Sequence, residues 1–183
     1  MPLPGDSGGG VPLLVTLGFD PGTFDRLDGL RRRYFPPDRN VVPAHISLFH
    51  HLPAEQRDAV DAALADASAG LGPIALRFGP VRRLGTGMAL GVHAPALLAL
   101  HARLVRGFRA WLTPQDRQPY RPHVTIMNKA TPAAAAEAFD HFRAGWQPFE
   151  GIGDAIRLWA YLGGPWAPLD RHAFGGRPEP AAS

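Results

Sequence analysis

Two segments decide how this chain folds: Pro43-Ala44-His45-Ile46-Ser47-Leu48-Phe49 and Arg121-Pro122-His123-Val124-Thr125-Ile126-Met127. Each is an apolar run in which a histidine is followed, two residues later, by a hydroxyl residue. Residues i and i+2 of a β-strand point to the same face, so each segment is predicted to place one imidazole beside one hydroxyl. If the two strands lie side by side, two histidines and two hydroxyls line one cleft.

The elements around these segments repeat in the same order. Pro21-Gly22-Thr23 opens a helical pattern that Pro36-Pro37 ends, and Pro132 opens a corresponding helix after the second histidine strand. A strand, a helix, the histidine strand, a helix and further strands thus occur twice, and each half is short for a stable domain.

We therefore predict one α+β domain over residues 11–174, formed by a bilobal, pseudo-symmetric duplication. The lobes are expected to cover about residues 11–87 and 88–174. Two antiparallel sheets should line a central cleft, with the helices packed outside.

Composition excludes several classes of protein. A length of 183 residues with 45% hydrophobic residues suits a single domain with its own core. The chain has no cysteine, which excludes disulfides, a thiolate nucleophile and a cysteine-ligated zinc site. The excess of 19 Lys and Arg over 16 Asp and Glu tolerates an anionic ligand but is too small to indicate extensive nucleic-acid binding.

The two ends are predicted to lie outside the domain. Residues 1–10 read as a flexible N-terminus and residues 175–183 as a disordered tail, because both are rich in Gly and Pro. The N-terminus lacks the basic and apolar regions of a signal peptide, and no apolar stretch approaches the roughly 18 residues needed to span a bilayer. We therefore expect a cytoplasmic monomer without membrane contact.

The paired motifs suit the cleavage of a phosphodiester without a metal. Such cleavage needs a base for the attacking oxygen and an acid for the leaving oxygen, and histidine titrates near neutrality. His45 and His123 are therefore the candidate catalytic residues. Ser47 and Thr125 are candidate phosphate-binding residues, because their hydroxyls can donate to the non-bridging oxygens.

Four further residues are weaker candidates. Strand alternation puts Phe49 on the face of His45, where it could stack on a base, and Lys129 on the face of His123, where it could bind the phosphate. Tyr120 and Arg121 directly precede the second strand and are candidate substrate-binding residues. A plain solvated Lys129 fits the sequence equally well, and Tyr120 and Arg121 are weaker candidates still, because a tyrosine at this position can simply pack.

The histidines also have structural alternatives. A single His-x-Ser in an apolar strand is usually a hydrogen-bonded structural histidine, and only the duplication favours catalysis. The cluster of His45, His50 and His51 suggests a metal site, but His50 is expected to face away from the other two and no carboxylate is expected beside them. We therefore predict no metal and no cofactor.

The motifs resemble those of the 2H phosphoesterase superfamily. His45-Ile46-Ser47-Leu48 and His123-Val124-Thr125-Ile126 match its two H-x-[ST]-x motifs, in which the last position is hydrophobic. The sequence is most similar to the 2'-5' RNA ligase-like, or RNA 2',3'-cyclic phosphodiesterase, branch, for which Arg121-Pro122 before the second motif is also typical. The order of elements fits from about Leu13 to Phe174.

The resemblance implies a bilobal α+β fold and hydrolysis of a 2',3'-cyclic phosphate, on an RNA end or a nucleotide, to a 2'-phosphate. RNA ligation is the reverse activity. By analogy His123 is the base and His45 the acid, although the near-symmetry leaves this assignment open. The branch often has a basic residue five positions after the second histidine, where this chain has Asn128 followed by Lys129.

Two other classes compete with this interpretation. One is a non-catalytic module that binds an RNA end or a nucleotide, and the intact histidines of both motifs argue against it. The other is a histidine-ligated metallohydrolase, which treatment with a chelator would reveal. The sequence leaves the physiological substrate and the base preference open.

Overall fold

The computed structural model describes residues 10–176, so the predicted N-terminus (1–10) and tail (175–183) lie almost entirely outside the described residues. Within this range the elements follow in the order β1 (Leu13–Phe19), α1 (Pro21–Tyr34), a 3-10 turn (Pro37–Arg39), β2 (Ile46–Leu52), a 3-10 turn (Ala54–Gln56), α2 (Arg57–Ala69), β3 (Ile74–Arg83), β4 (Met88–His93), α3 (Pro95–Phe108), β5 (His123–Met127), α4 (Pro132–Gly145), β6 (Phe149–Tyr161) and β7 (Trp166–Ala173).

Helices α1 and α4 begin with the same local signal. The Asp20 side chain accepts a hydrogen bond from the backbone N–H two residues on, at 3.2 Å, and Pro21 takes the first helical position. Thr131 and Pro132 repeat the arrangement, with the N–H three residues on at 3.3 Å. A capping oxygen satisfies an orphan amide, and the missing N–H of proline is tolerated at this position.

The seven strands form one antiparallel sheet in the order β2-β1-β6-β3-β4-β5, with β7 also paired to β6. The predicted α+β class is confirmed, but the expectation of two separate sheets is wrong. Strand β6 has 13 residues, and its first part pairs with β3 while the rest pairs with β1. The two pairings meet at Gly153, which is opposite both Phe19 and Ile74. The predicted lobe boundary near residue 87 falls in the turn between β3 and β4, inside this single sheet.

The sheet curls so that its two end strands approach each other. Strands β2 and β5 are the most distant in the pairing order, yet they contact one another, and α1 packs on β5. The Tyr120 hydroxyl, just before β5, donates a hydrogen bond to the carbonyl oxygen of Ser47 on β2 at 3.1 Å. The curl therefore brings the two motif strands side by side.

The helices cover the sheet and enclose the core. Helix α2 packs on β6 and β7, and α3 packs on α2 and β3. The burial of each large apolar side chain contributes about 1.5–3 kcal/mol. The largest fully buried apolar side chains include Leu17, Leu27, Ile46, Phe49, Leu64, Phe78 and Phe108. None of the helices in residues 10–176 is long and apolar enough to cross a membrane.

Candidate active site

The imidazoles of the two motif histidines are held in the same way. His45 lies directly before β2, and its Nδ1 is 2.7 Å from the carbonyl oxygen of Pro43. His123 begins β5, and its Nδ1 is 2.9 Å from the carbonyl oxygen of Arg121. A carbonyl oxygen can only accept a hydrogen bond, so each Nδ1 carries a hydrogen atom and is the donor. Each Nε2 is therefore left to exchange a proton with a ligand.

Strand β2 contains a bulge directly after its hydroxyl residue. Ser47 pairs with Thr16 on β1, whereas Phe49 pairs with the next residue along, Val15. Leu48 is therefore an extra residue that has no partner of its own in the pairing. A bulge of this kind breaks the alternation of side chains between the two faces.

Strand β5 has a bulge at the equivalent position. Thr125 pairs with Ala89 on β4. Met127 pairs with the preceding residue, Met88, which leaves Ile126 as the extra residue. The two motifs thus share their backbone irregularity as well as their side chains.

The bulge in β2 explains why Phe49 is not the predicted surface for a base. Phe49 is 0% exposed and lies on the core face of the sheet. Its ring stacks on His101 with centroids 5.1 Å apart and meets Phe108 edge-on at 5.2 Å. The prediction assumed unbroken alternation from His45, and the extra residue Leu48 reverses the direction of the next side chain. Phe49 therefore stabilises the core.

Three of the four motif residues line one or the other of two cavities and Thr125 lines neither, whereas the sequence predicted one cleft for all four. His45 lines a cavity of about 340 Å³. Ser47 and His123 line a second cavity of about 720 Å³. Thr125 lies on the face of β5 that bears His123, since its partner Ala89 also lines the second cavity. The two imidazoles are near enough that the charge of His123 lowers the pKa of His45.

The surroundings of the two cavities differ in character. The first combines aromatic and charged side chains: Phe24, Asp25, Asp154, Arg157, Trp159 and Arg171. The second has one carboxylate, Asp116, and is otherwise rich in cationic and hydrogen-bonding side chains: His50, Arg82, Arg83, His101, Gln115, Gln118, Tyr120, Arg121 and Asn128. The second cavity is therefore the better match for an anionic group.

Desolvation sets the protonation state of His45. The Trp166 ring on β7 lies 4.6 Å from the His45 ring, centroid to centroid. Burial lowers the pKa of His45 to about 4; the hydrogen bond to Pro43 opposes this shift, and the charge of Arg31 adds to it. The imidazole is neutral near pH 7, so its Nε2 has a lone pair available for a proton.

Tyr120 and Arg121, the candidate substrate-binding residues, both line the second cavity. The Tyr120 ring stacks on His101 at 3.8 Å, and burial raises the pKa of its hydroxyl, which holds the Ser47 carbonyl. One face of Tyr120 is thus already occupied. Arg121 is exposed, and its carbonyl orients His123.

Lys129, the predicted phosphate cation, is exposed and does not belong to the lining of either cavity. Its φ of 57° places it in the left-handed region, and its N–H donates to Asn128 Oδ1 at 2.8 Å. Asn128 lines the second cavity in its place. Strand β5 ends at Met127, and the left-handed backbone at Lys129 follows it.

Arg82 is a cation of the site that the sequence did not reveal. It lies on β3, lines the second cavity and reaches the carbonyl oxygen of Pro122 at 3.5 Å. Gly91, which pairs directly with His123, stands beneath it: a Cβ on Gly91 would lie 3.4 Å from Arg82 Nε. The arginine therefore crosses β4 where no side chain blocks it. A glycine inside a strand often marks such a close approach.

The buried carboxylate of Asp116 is hydrogen-bonded to His50 and His51. The sequence analysis expected no carboxylate beside this histidine cluster. Asp116 Oδ1 accepts hydrogen bonds from the backbone N–H and the Nδ1 of His50, both at 2.9 Å, and Oδ2 accepts one from the His51 N–H at 3.2 Å. Burial raises the pKa of Asp116, but these bonds outweigh it, and the net shift is downward. The pair anchors β2 to the loop after α3.

Within residues 10–176, no three histidine or carboxylate side chains group closely enough to hold a metal ion. Asp116 uses its oxygens on His50 and His51 rather than pointing them at His45. The absence of a metal from the reaction stays a prediction for experiment.

Solved structures share this fold at low sequence identity. The protein TT0787 of Thermus thermophilus matches with a TM-score of 0.63 and 16% identity, over 91% of this chain and 99% of that one. E. coli LigT in complex with 3'-AMP matches with a TM-score of 0.61 and 18% identity, over 90% and 98%. LigT in complex with ATP gives 0.59 and 19%, over 91% and 99%. No curated protein sequence matches the chain significantly.

The family is shown by the sequence itself. Residues 19–165 match the family model described as the 2'-5' RNA ligase superfamily. This range contains both histidine motifs and the whole of strands β2 to β6. The chain therefore belongs to the 2'-5' RNA ligase superfamily, within the 2H phosphoesterases that its two motifs resemble.

Proposed function

We propose that this protein is a metal-independent phosphodiesterase that hydrolyses a 2',3'-cyclic phosphate to a 2'-phosphate. One observation carries the proposal: each motif supplies an imidazole whose Nδ1–H is fixed by a backbone carbonyl, which leaves Nε2 free. Hydrolysis of a cyclic phosphate needs two such groups, one that accepts a proton and one that donates it.

In the proposed mechanism the phosphate binds between the two cavities, with His45 as the base and His123 as the acid, whose imidazoles are near enough to interact electrostatically. His45 Nε2 takes a proton from the attacking water as the new O–P bond forms. The bond between phosphorus and the 3' oxygen breaks, and His123 Nε2 gives that oxygen a proton. Exchange with solvent then restores both histidines. This assignment reverses the one implied by analogy, because the desolvated imidazole of His45 is neutral at physiological pH.

The phosphate is proposed to be bound by Ser47, Thr125 and Arg82. Negative charge increases on the non-bridging oxygens as phosphorus becomes five-coordinate, and preorganised donors stabilise it. The two hydroxyls project from the motif strands, and Arg82 reaches the His123 end of the second cavity. Lys129 is exposed outside the cavity linings, so we give the cationic role to Arg82.

The proposed substrate is an RNA end or a nucleotide that carries the cyclic phosphate. Arg82, Arg83 and Arg121 surround the second cavity, whereas the carboxylate of Asp116 is engaged by His50. The local field therefore favours an anion. Crystal structures of E. coli LigT with 3'-AMP and with ATP support a nucleotide ligand for this fold. The same two histidines would serve 2'-5' ligation, which is the reverse transesterification.

The proposal is tested by incubating purified protein and EDTA with 2',3'-cyclic mononucleotides, an RNA oligonucleotide with a 2',3'-cyclic end, and ADP-ribose cyclic phosphate. We expect turnover without added metal and a product with the phosphate on the 2' oxygen. His123→Ala should lower kcat by on the order of 100-fold or more, and His141→Ala, on the exposed side of α4, is the control.

Two results would contradict the proposal. Binding of these ligands without turnover would identify a non-catalytic module. Activity that is lost on chelation and restored by zinc or manganese would identify a metallohydrolase.

A further inference from the structure

Arg31 is a buried cation to which the mechanism above gives no role. It is the first of three consecutive arginines on α1; Arg32 and Arg33 are exposed, whereas Arg31 is 2% exposed. A buried charge costs free energy unless polar groups compensate for it. The partners of its guanidinium therefore indicate what the burial achieves.

The guanidinium of Arg31 joins the two motifs through their backbones. Nη1 donates to the carbonyl oxygen of Thr125, the hydroxyl residue of the second motif, at 2.7 Å. Nη2 donates to the carbonyl oxygen of Val42, three residues before His45, at 3.0 Å, and to Asn40 Oδ1 at 2.8 Å. One rigid group thus holds the entry to the first motif and the middle of the second.

Asp28 extends this arrangement along the same face of α1. Its Oδ1 accepts a hydrogen bond from the backbone N–H of Ala44, next to His45, at 3.2 Å. Burial lowers the pKa of Arg31 to about 10, and the charge of Asp28 opposes that shift, so the guanidinium remains charged at neutral pH. Side chains of helix α1 are therefore hydrogen-bonded to the backbone at two points shortly before His45, Val42 and Ala44, and at one point in the second motif, Thr125.

We propose that Arg31 is a positioning residue that fixes the separation of the two motif strands and so places His45 and His123 on either side of the reacting phosphate. The inference rests on the proposed function for its chemistry, but its structural part can be tested without activity. The guanidinium is planar and presents its donors in a fixed geometry, which suits it to hold two backbones in one register. Lysine has the charge without this geometry.

The charge of Arg31 also lowers the pKa of His45. Arg31 approaches from α1, His50 from β2 and His123 from β5, and all three lower the pKa of His45. The charged groups around its own cavity are Asp25, Asp154, Arg157 and Arg171. Loss of the Arg31 charge should raise the pKa of His45, and loss of its geometry should not.

Three variants separate these effects: Arg31→Lys keeps the charge, Arg31→Met removes it, and Arg33→Met is a matched control two residues further along α1, on the exposed face. Circular dichroism establishes folding. Turnover of a cyclic nucleotide gives kcat and KM, and NMR titration of the imidazole protons gives the pKa of His45 independently of activity.

For Arg31→Lys we expect kcat to fall by on the order of 100-fold, as for a misplacement of reacting groups by about 1 Å, with the pKa of His45 unchanged. For Arg31→Met we expect the same loss together with a raised pKa of His45. Arg33→Met should resemble the wild type in both. If Arg31→Met does not fold, Asn40→Ala, which removes a single acceptor, should give a smaller loss of kcat.

A folded Arg31→Lys with wild-type kcat would overturn the inference. If the wild type has no activity on cyclic phosphates, the proposed function fails but the positioning role is still tested. Backbone amide shifts in Arg31→Lys should then change in both segments, 42–45 and 123–127. Changes confined to one segment would refute a role in joining the motifs.

Discussion

His45 and His123 have the same hydrogen bond but different surroundings. Each donates Nδ1–H to a carbonyl two residues earlier, whereas Trp166 covers only His45 and lowers its exposure to water. Burial disfavours the charged imidazole and lowers the pKa of His45 to about 4. The neutral imidazole of His45 suits the role of base that we propose for it.

The first prediction separates proton transfer from phosphate binding. His45→Ala and His123→Ala should each lower kcat by on the order of 100-fold or more, because each removes a group used in the transition state. Ser47→Ala and Thr125→Ala should cost less, about 1.5–3 kcal/mol of transition-state stabilisation, since each removes one hydrogen bond to a charged group. Steady-state kinetics on folded variants measure both. Wild-type turnover in either histidine variant would refute the mechanism.

The second prediction uses the pKa of His45 without any assay of activity. The unfolded state binds the proton from about pH 6.5 downward, but the native state only from about pH 4. Between these values the unfolded state holds more protons, so native stability falls with falling pH. Relative to His45→Gln, the wild type should lose up to about 3 kcal/mol of unfolding free energy from pH 7 to pH 4. Urea denaturation at both pH values measures it, and parallel curves would contradict the desolvation of His45.

The motif residues could be found from sequence because their signal is local. A histidine and a hydroxyl two residues apart in an apolar run need only strand geometry to share a face. Arg82 and Arg31 could not be found in this way, since each reaches its site from another element. The one sequence feature linked to Arg82 is Gly91, which leaves room for the arginine to cross β4. That link can be recognised only once the pairing of β4 with β5 is known.

The starts of α1 and α4 followed from Pro21 and Pro132, which are local signals. The bulges after Ser47 and Thr125 did not, because a bulge is defined by the partner strand. The assignment of Phe49 failed for this reason alone. Counting alternation along one strand is reliable only while the pairing stays regular.

The third prediction tests the inward direction of Phe49. Phe49→Leu should lower the unfolding free energy by about 1.5 kcal/mol through poorer packing against His101 and Phe108. KM for a cyclic nucleotide should not change, because the ring is 0% exposed. Chemical denaturation and steady-state kinetics give the two numbers. A raised KM with unchanged stability would restore the role in stacking.

The arrangement of the chain as one curled sheet depends on contacts that no short segment specifies. The repeated order of elements predicted two similar halves, and the α+β class followed from it. The structure instead joins the halves through β6, which pairs with β1 and β3 around Gly153. That pairing joins residues far apart in the sequence, so no short segment specifies it.

The fourth prediction concerns the junction between the turn after β3 and the end of β5. A Cβ at Gly87 would overlap the carbonyl oxygen of Met127 and lie 2.7 Å from the Asn128 Cα. Gly87→Ala should therefore lower the unfolding free energy by about 2–3 kcal/mol and also lower kcat, since β5 must shift. Gly70→Ala, with no atom within 4 Å of the added carbon, is the control. Equal urea midpoints for the two variants would contradict this junction.

The carbonyls that orient the histidines have an evolutionary consequence. Every amino acid has a peptide carbonyl, so the orientation of His123 does not depend on which side chain stands at position 121. The Arg121 side chain is exposed beside the cavity and can be exchanged without loss of that hydrogen bond. If the proposed mechanism holds, substitutions at position 121 can therefore change ligand preference while the orientation of His123 is retained, so that recognition and proton transfer can evolve independently.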